Sequence, residues 1–403
     1  MEAGNVAWMI TATAMVLFMV PGLALFYGGM LRSKNVLNML MMNMYCLGAV
    51  TVGWVLIGHT LANTGNGGFI GTFDQVGMKD IKSADDIVSA IFLMTFAVIT
   101  PALISGAVAD RMKFSAWAVF VPVWSILVYC PVAFWMYRGW MAEWGVLDFA
   151  GGTTIHINAG AAALALVLVL GKRQGWPEEA MLPHNLVYVT LGAGILWFGW
   201  FGFNAGSAGA ANEQAARAAL NTFVGGAAGM LGWLVIERIR DGAATSLGAA
   251  SGAIAGLAAV TPAAGFVGGL SPIIFGAISG VTCYSAIQLK SRFGYDDSLD
   301  VVGVHMVAGL VGGLLLGLLA DRDAFTPGFG ATFQEGALTG GGWSGGTLIW
   351  DQLVAMGAVL AFSFVMTLII AKVIDVTIGL RVTSSAELRG LDLTQHAEAA
   401  YSS

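Results

Sequence analysis

Asp148-Phe-Ala-Gly-Gly-Thr-Thr-Ile-His156-Ile-Asn-Ala-Gly160 recurs later in the chain, in shortened form, as Asp300-Val-Val-Gly-Val-His305-Met-Val-Ala-Gly309. Both stretches read Asp-x-x-Gly, a spacer, then a β-branched residue, His, two residues and Ala-Gly. Each opens a long apolar run, so each histidine lies inside a hydrophobic segment. Such a duplicated motif means an internal repeat. If the intervening helix count is odd, the two copies enter the membrane from opposite sides, and a site forms near the middle where they meet. At about 1.5 Å rise per residue, a helical path sets His156 about 12 Å beyond Asp148 and His305 about 7.5 Å beyond Asp300. The two imidazoles therefore approach the mid-plane from opposite faces. A single buried histidine is as readily explained by packing, but an ionisable pair at membrane depth is costly and marks a functional site.

The surrounding composition fits a membrane setting. Of 403 residues, 57% are hydrophobic and 10% charged, whereas soluble domains carry about a quarter charged residues. The net charge of −6 excludes a basic nucleic-acid binder. Cys46, Cys130 and Cys283 lie in apolar runs without metal-binding or redox spacing and read as small buried hydrophobes. Glycine, at 56 residues, is about twice as frequent as usual, which suits helices packed closely through small residues. Glu2 and the long run from Val6 argue for a first span and against a cleaved signal peptide.

A hydrocarbon core of about 30 Å takes about 20 apolar residues per helix. Eleven runs qualify, near 6–31, 37–61, 86–109, 115–135, 151–171, 185–207, 217–237, 245–261, 267–289, 301–320 and 347–380. The expected fold class is an all-α polytopic membrane protein with a five-plus-five inverted repeat, about 6–172 and 185–320, and a long eleventh helix. Residues 1–381 form the membrane domain and 382–403 a cytoplasmic tail. With the N-terminus outside, 13 of the 18 Lys and Arg residues fall on the inner side, as positive charge in cytoplasmic loops requires. The Gly248/Gly252/Gly256 and Gly309/Gly313/Gly317 stripes, and the Thr100-Pro101 and Thr261-Pro262 pairs, read as architecture.

Beyond the two histidine motifs, further stretches are distinctive: PGLALFYGGMLRSKNVLNML at 21–40, FAVITPALISGAVADRMKFSAW at 96–117, LPHN at 182–185, GWFGFNAGSAGAANE at 199–213, SGAIAGLAAVTPAAG at 251–265, GLRV at 379–382 and GLDLTQHAEAAY at 390–401. In this order and over nearly the whole chain, the sequence resembles the ammonium transporter family (Amt/Mep/Rh), most closely its bacterial and archaeal branch. The resemblance implies a homotrimer in the cell inner membrane, one pore per protomer, no cofactor and no enzymatic activity. It also implies site roles. Ser207 accepts a hydrogen bond from ammonium in an outer vestibule lined by Phe92 and Tyr137 and shaped by Asp148. Phe96 and Phe203 form a stacked gate, and His156 and His305 are twin pore histidines whose rings share one hydrogen bond and line the lumen through which ammonia moves. Asp148 also caps its helix, and Asp300 caps span ten.

The segment Phe134-Trp-Met-Tyr137-Arg138-Gly-Trp140 departs from the family's pattern, in which a tryptophan faces the cation. Tyr137 takes that place, with Trp135 or Trp140 as possible substitutes, and Arg138 adds a nearby positive charge. Weaker recruitment of the cation is the expected result. The tail resembles a regulatory segment that couples protomers and docks a trimeric PII-type signalling protein. An ammonium sensor working without much flux is the alternative function. A membrane enzyme is disfavoured, because no nucleophile–base set or metal cluster stands out.

Overall fold

The computed structural model describes residues 2–65, 68–325, 333–342 and 347–401. Among these it contains eleven helices long and apolar enough to cross a membrane: α1 Ala3–Met30, α2 Ser33–Asn63, α3 Ala84–Val108, α4 Phe114–Trp144, α5 Gly152–Leu170, α6 Leu186–Gly206, α7 Glu213–Asp241, α8 Ser246–Ala263, α9 Ser271–Phe293, α10 Val302–Leu319 and α11 Leu348–Thr377. The expected count and order hold. The largest boundary difference is in the fourth span, which continues past 135 because a five-residue helix, Trp140–Trp144, restarts after Gly139. No strand occurs among the described residues, only an isolated bridge between Met112 and Arg381.

Helix ends follow local chemistry. Ser83, Asn185, Asn212 and Thr245 accept backbone hydrogen bonds at the starts of α3, α6, α7 and α8, each cap contributing about 1 kcal/mol. Gly242 and Gly294 adopt left-handed backbone at the ends of α7 and α9, where a side chain would be strained.

Glycine sets how closely the helices approach. Where α1 crosses α6, a Cβ on Gly192 would lie 2.3 Å from the Phe26 nitrogen. Where α7 meets α8, one on Gly256 would lie 2.2 Å from the Gly225 carbonyl. The same logic holds at the centre, where α5 and α10 cross. A Cβ on Gly160 would lie 2.4 Å from Met306 Cβ, and one on Gly309 would lie 2.8 Å from the Gly152 carbonyl. The Ala-Gly that follows each histidine in the repeated motif is thus the contact that lets the two helices touch.

Two short helices, α12 Ser384–Arg389 and α13 Leu391–His396, fold the tail back under the bundle. Asp392 accepts hydrogen bonds from the backbone nitrogens of Leu37 (3.0 Å) and Asn38 (2.8 Å) at the base of α2. His396 lies edge-on to Phe114 at 4.9 Å and meets Asn38 Oδ1 at 3.0 Å. The tail is ordered by these contacts through residue 401, and its last two residues lie outside the described set.

Candidate functional site

Both motif histidines sit in a wide π-helical turn, Gly152–Ile157 in α5 and Val302–Met306 in α10. A π turn shifts side-chain direction relative to a regular helix and is frequent at functional sites. Here the two turns face one another: His156 Nδ1 and His305 Nδ1 are 3.2 Å apart, with ring planes 10° from parallel. The side chains are 1% and 2% exposed, too little for bulk water to hydrate a charge on either. At that separation one nitrogen carries the proton and the other accepts it, so the neutral pair shares a single hydrogen. His156 Nε2 is buried without a hydrogen-bond partner among the described residues.

The lumen beside the pair is apolar, with Leu23, Ile99, Leu103, Ile155 and Ile254 in its wall and a volume of about 10 Å³, on the order of one water. Phe96 and Phe203 close it on the α3–α6 side, stacked at 4.3 Å and 13°. Phe92 leans on Phe96 at 4.8 Å. Gly206 makes room for it, since a Cβ there would lie 2.7 Å from the Phe92 ring. Ser207, half-buried at the end of α6, donates its hydroxyl to the Phe203 carbonyl at 2.8 Å, which leaves its oxygen lone pairs free to accept.

The chain that carries the Phe96–Phe203 stack and the paired histidines matches, over residues 7–401, the model of the Ammonium Transporter Family. The ammonium transporter of Mycobacterium tuberculosis is 47% identical over 99% of this chain and 90% of its own length. That of Bacillus subtilis is 44% identical over 100% and 99%. The crystal structure of Candida albicans Mep2 superposes with a TM-score of 0.88 at 33% identity, covering 96% of this chain and 87% of that one. This chain belongs to the ammonium transporter family. It shares with that family an all-helical, multi-pass membrane fold.

Within this family member, Asp148 caps its helix as expected, and Asp300 needs correction. Asp148 is buried, and its oxygens accept from the backbone nitrogens of Gly151, Gly152, Thr153 and Thr154 at 2.6–3.0 Å and from Thr154 Oγ1 at 3.0 Å. Its carboxylate faces the start of α5 and is fully used there, so it acts as a helix anchor. Burial pushes its carboxyl above the ordinary range, and the hydrogen bonds at Thr154, Gly152 and Gly151 pull it back.

Asp300 does not cap α10. It pairs with Lys290 at 2.5 Å, and the Val302 nitrogen donates instead to Asp297 Oδ2 at 2.7 Å. The counterpart of Asp148 is therefore Asp297. The spacing from Asp297 to His305 equals that from Asp148 to His156, and Gly151 and Asp300 occupy matching positions with φ of 107° and 63°. A left-handed residue is needed three places after each capping aspartate. Glycine supplies it in one half and aspartate, a tolerated alternative, in the other. The sequence motif aligned the wrong Asp because the spacer lengths differ only if Asp300 is taken as the cap.

Tyr137 and Arg138 are exposed at the outer end of α4. Trp135 is buried, with its ring on Phe362 at 4.6 Å and its Nε1 on the Phe69 carbonyl at 2.7 Å. It is therefore committed to packing, and Trp140 is half-buried against it. Of the three, Tyr137 is the ring left to face solvent.

Sequence reasoning missed Trp200 and read Thr261 only as a helix end. The indole lies over His156 at 5.6 Å and 17°, and its Nε1 donates to Thr261 Oγ1 at 2.9 Å, which in turn donates to the Leu257 carbonyl at 2.8 Å. The recurrence of Thr-Pro at 261–262 was the available signal. Its role extends beyond ending α8 to fixing the wall behind the histidine.

Proposed function

We propose that this ammonium transporter conducts its substrate as neutral ammonia past the His156–His305 pair, after ammonium has been held and deprotonated at the outer side of the Phe96–Phe203 stack. The observation that carries this reading is the shared Nδ1–Nδ1 hydrogen bond beside a narrow apolar lumen. A cation at membrane depth loses several kcal/mol of hydration, and nothing in the apolar wall restores it. Ammonia, small and neutral, crosses at far lower cost, and hydrated metal ions do not fit.

Recruitment falls to Ser207, whose oxygen can accept an N–H, and to the faces of Phe92 and Tyr137, each worth about 0.5 to 2 kcal/mol to a cation. Arg138 opposes it. The stacked phenylalanines then admit the substrate only by ring movement. A neutral imidazole can take a proton on one nitrogen and release one from the other, so the pair has the chemistry to relay the proton separately.

The same reading takes the chain as a homotrimer in the inner membrane, with residues 1–381 as the transport domain and 382–403 as a tail that regulates it and offers a surface to a PII-type protein. Support for the tail's role comes from its bonds to the base of α2.

The test is purified protein in liposomes, with ammonium-evoked current and methylammonium uptake compared for wild type, His156→Ala and His305→Ala. Wild type gives both signals and the variants lose current or selectivity over potassium. Well-folded wild-type protein that gives neither signal would favour the sensor instead.

A further inference from the structure

On the inner side of the histidine pair lies a second cavity of about 140 Å³. Phe26, Ile254 and His305 belong to the walls of both cavities, so the two meet at the second histidine. The remainder of its wall is unlike the lumen. Glu237 and Asp241 on α7 and Asp300 before α10 line it, together with the rings of Trp233 and Tyr284, which stand edge to face at 5.7 Å.

The three carboxylates are not equally occupied. Glu237 accepts from the Thr245 nitrogen (2.9 Å) and from its hydroxyl (2.8 Å), an arrangement that joins α7 to α8. Asp241 accepts one hydrogen bond, from the Tyr284 hydroxyl at 2.7 Å. Asp300 holds Lys290 through Oδ1. Asp241 also occupies the last turn of α7, where an acid opposes the helix dipole, so helix stability does not account for it. Opposite the acids is His305. It is 2% exposed, commits Nδ1 to His156 and belongs to the cavity wall.

The imidazole of His305 and carboxylates with unused oxygens thus share one cavity, about ten times the minimum for a single water. An anion is repelled there, and a neutral base has no use for the acids. A small cation with N–H groups satisfies both ends, and aromatic rings between them add to its binding. We propose that this inner cavity is a second binding site for ammonium or a similar small monovalent cation, held by Asp241 and Asp300 against Trp233 and Tyr284. The proposal rests on the transport reading given above. It assigns the inner side a mode of recognition that the outer vestibule lacks: direct carboxylate contact, since the oxygens of Asp148 are used within its own helix. Ammonium accumulated inside then occupies the site and slows further import.

Vesicles of oriented wild-type protein and of Asp241→Asn, which keeps an acceptor for Tyr284 and so the fold, are loaded with graded ammonium chloride. Initial uptake of labelled methylammonium is then measured. The expected result is that Asp241→Asn raises the inner half-inhibitory concentration about fivefold relative to the outer half-saturation on the same vesicles, the effect of removing one partly exposed charge. Equal ratios in the two proteins would overturn the proposal. If no protein takes up methylammonium, the transport reading fails separately. The site is then read by thermal stabilisation with ammonium chloride against sodium chloride in detergent, where wild type must respond at lower concentration than Asp241→Asn, and identical responses again overturn it.

Discussion

At the residue scale, recruitment and conduction make separable demands. In the proposed vestibule Ser207 is the hydroxyl acceptor, and a hydrogen bond to a charged partner contributes about 1.5–3 kcal/mol. Ser207→Ala should therefore raise the outer half-saturation for methylammonium about tenfold or more, with little change in maximal uptake, as an uptake titration will show. Tyr137 and Arg138 predict the reverse change. Tyr137→Trp combined with Arg138→Gln should lower half-saturation about two- to fivefold, because a better π face replaces a weaker one and a repelling charge is removed. Unchanged half-saturation in that double variant would remove these residues from the vestibule. His156 and His305 were legible because a histidine pair repeated in apolar context has few structural explanations. Trp200 was not, because a tryptophan among many in a membrane helix carries no pattern that sets it apart.

At the level of elements, the decisive feature is the crossing of α5 and α10. Gly160 and Gly309 allow the approach, and the two π turns aim the rings. A Cβ at Gly160 meets the backbone and side chain of Met306 below contact distance, so Gly160→Val should destabilise the protein by a few kcal/mol and abolish uptake. Size-exclusion chromatography, a detergent melting curve and an uptake assay on one preparation check all parts of this. The sequence showed the helices and the glycines, because apolar length and small-residue spacing are written locally. The π turns were hidden, since a one-residue widening leaves the hydrophobic pattern almost unchanged. The same blindness misaligned Asp300 with Asp148.

Asp297, the true cap of α10, supplies a pH test for that element. Burial, followed by the Asp300 carboxylate, pushes its carboxyl from 3.8 up to about 6, against the pull of Lys290 and the Val302 and Val301 nitrogens. The folded state thus binds a proton that the unfolded state has already released. Between those two values the linkage makes stability fall as pH rises. Asp297→Asn keeps an acceptor for Val302 and removes this contribution. Its melting temperature should depend less on pH across that interval than the wild type's, and parallel curves would contradict the assignment.

For the whole molecule, the tail and the membrane domain are joined by polar contacts that no periodicity could reveal, because each partner lies hundreds of residues from the other. Leu391 donates to Asn35 Oδ1 at 2.7 Å, and Asn35 in turn bonds Asp110. Asp110 also meets Arg32 at 3.1 Å and Arg173 at 3.5 Å, and Arg173 is paired with Asp296 at 2.8 Å. Asp296 adjoins the cap of α10. Loss of the Asp392 carboxylate, which holds the base of α2, should release the tail at a cost of about 1–2 kcal/mol. Hydrogen exchange in Asp392→Ala is expected to quicken over residues 384–396 and at the start of α2, while the membrane core keeps its protection. Exchange unchanged from wild type would show that the tail is held elsewhere.

In the proposed conduction path two neutral imidazoles share one proton within an apolar conduit. With only five histidines in the chain, nitrogen-15 magnetic resonance of histidine-labelled protein in lipid can examine the pair directly. One protonated and one bare Nδ1, coupled to each other through the hydrogen bond, are expected. Two protonated Nδ1 atoms, or two with no coupling between them, would contradict it.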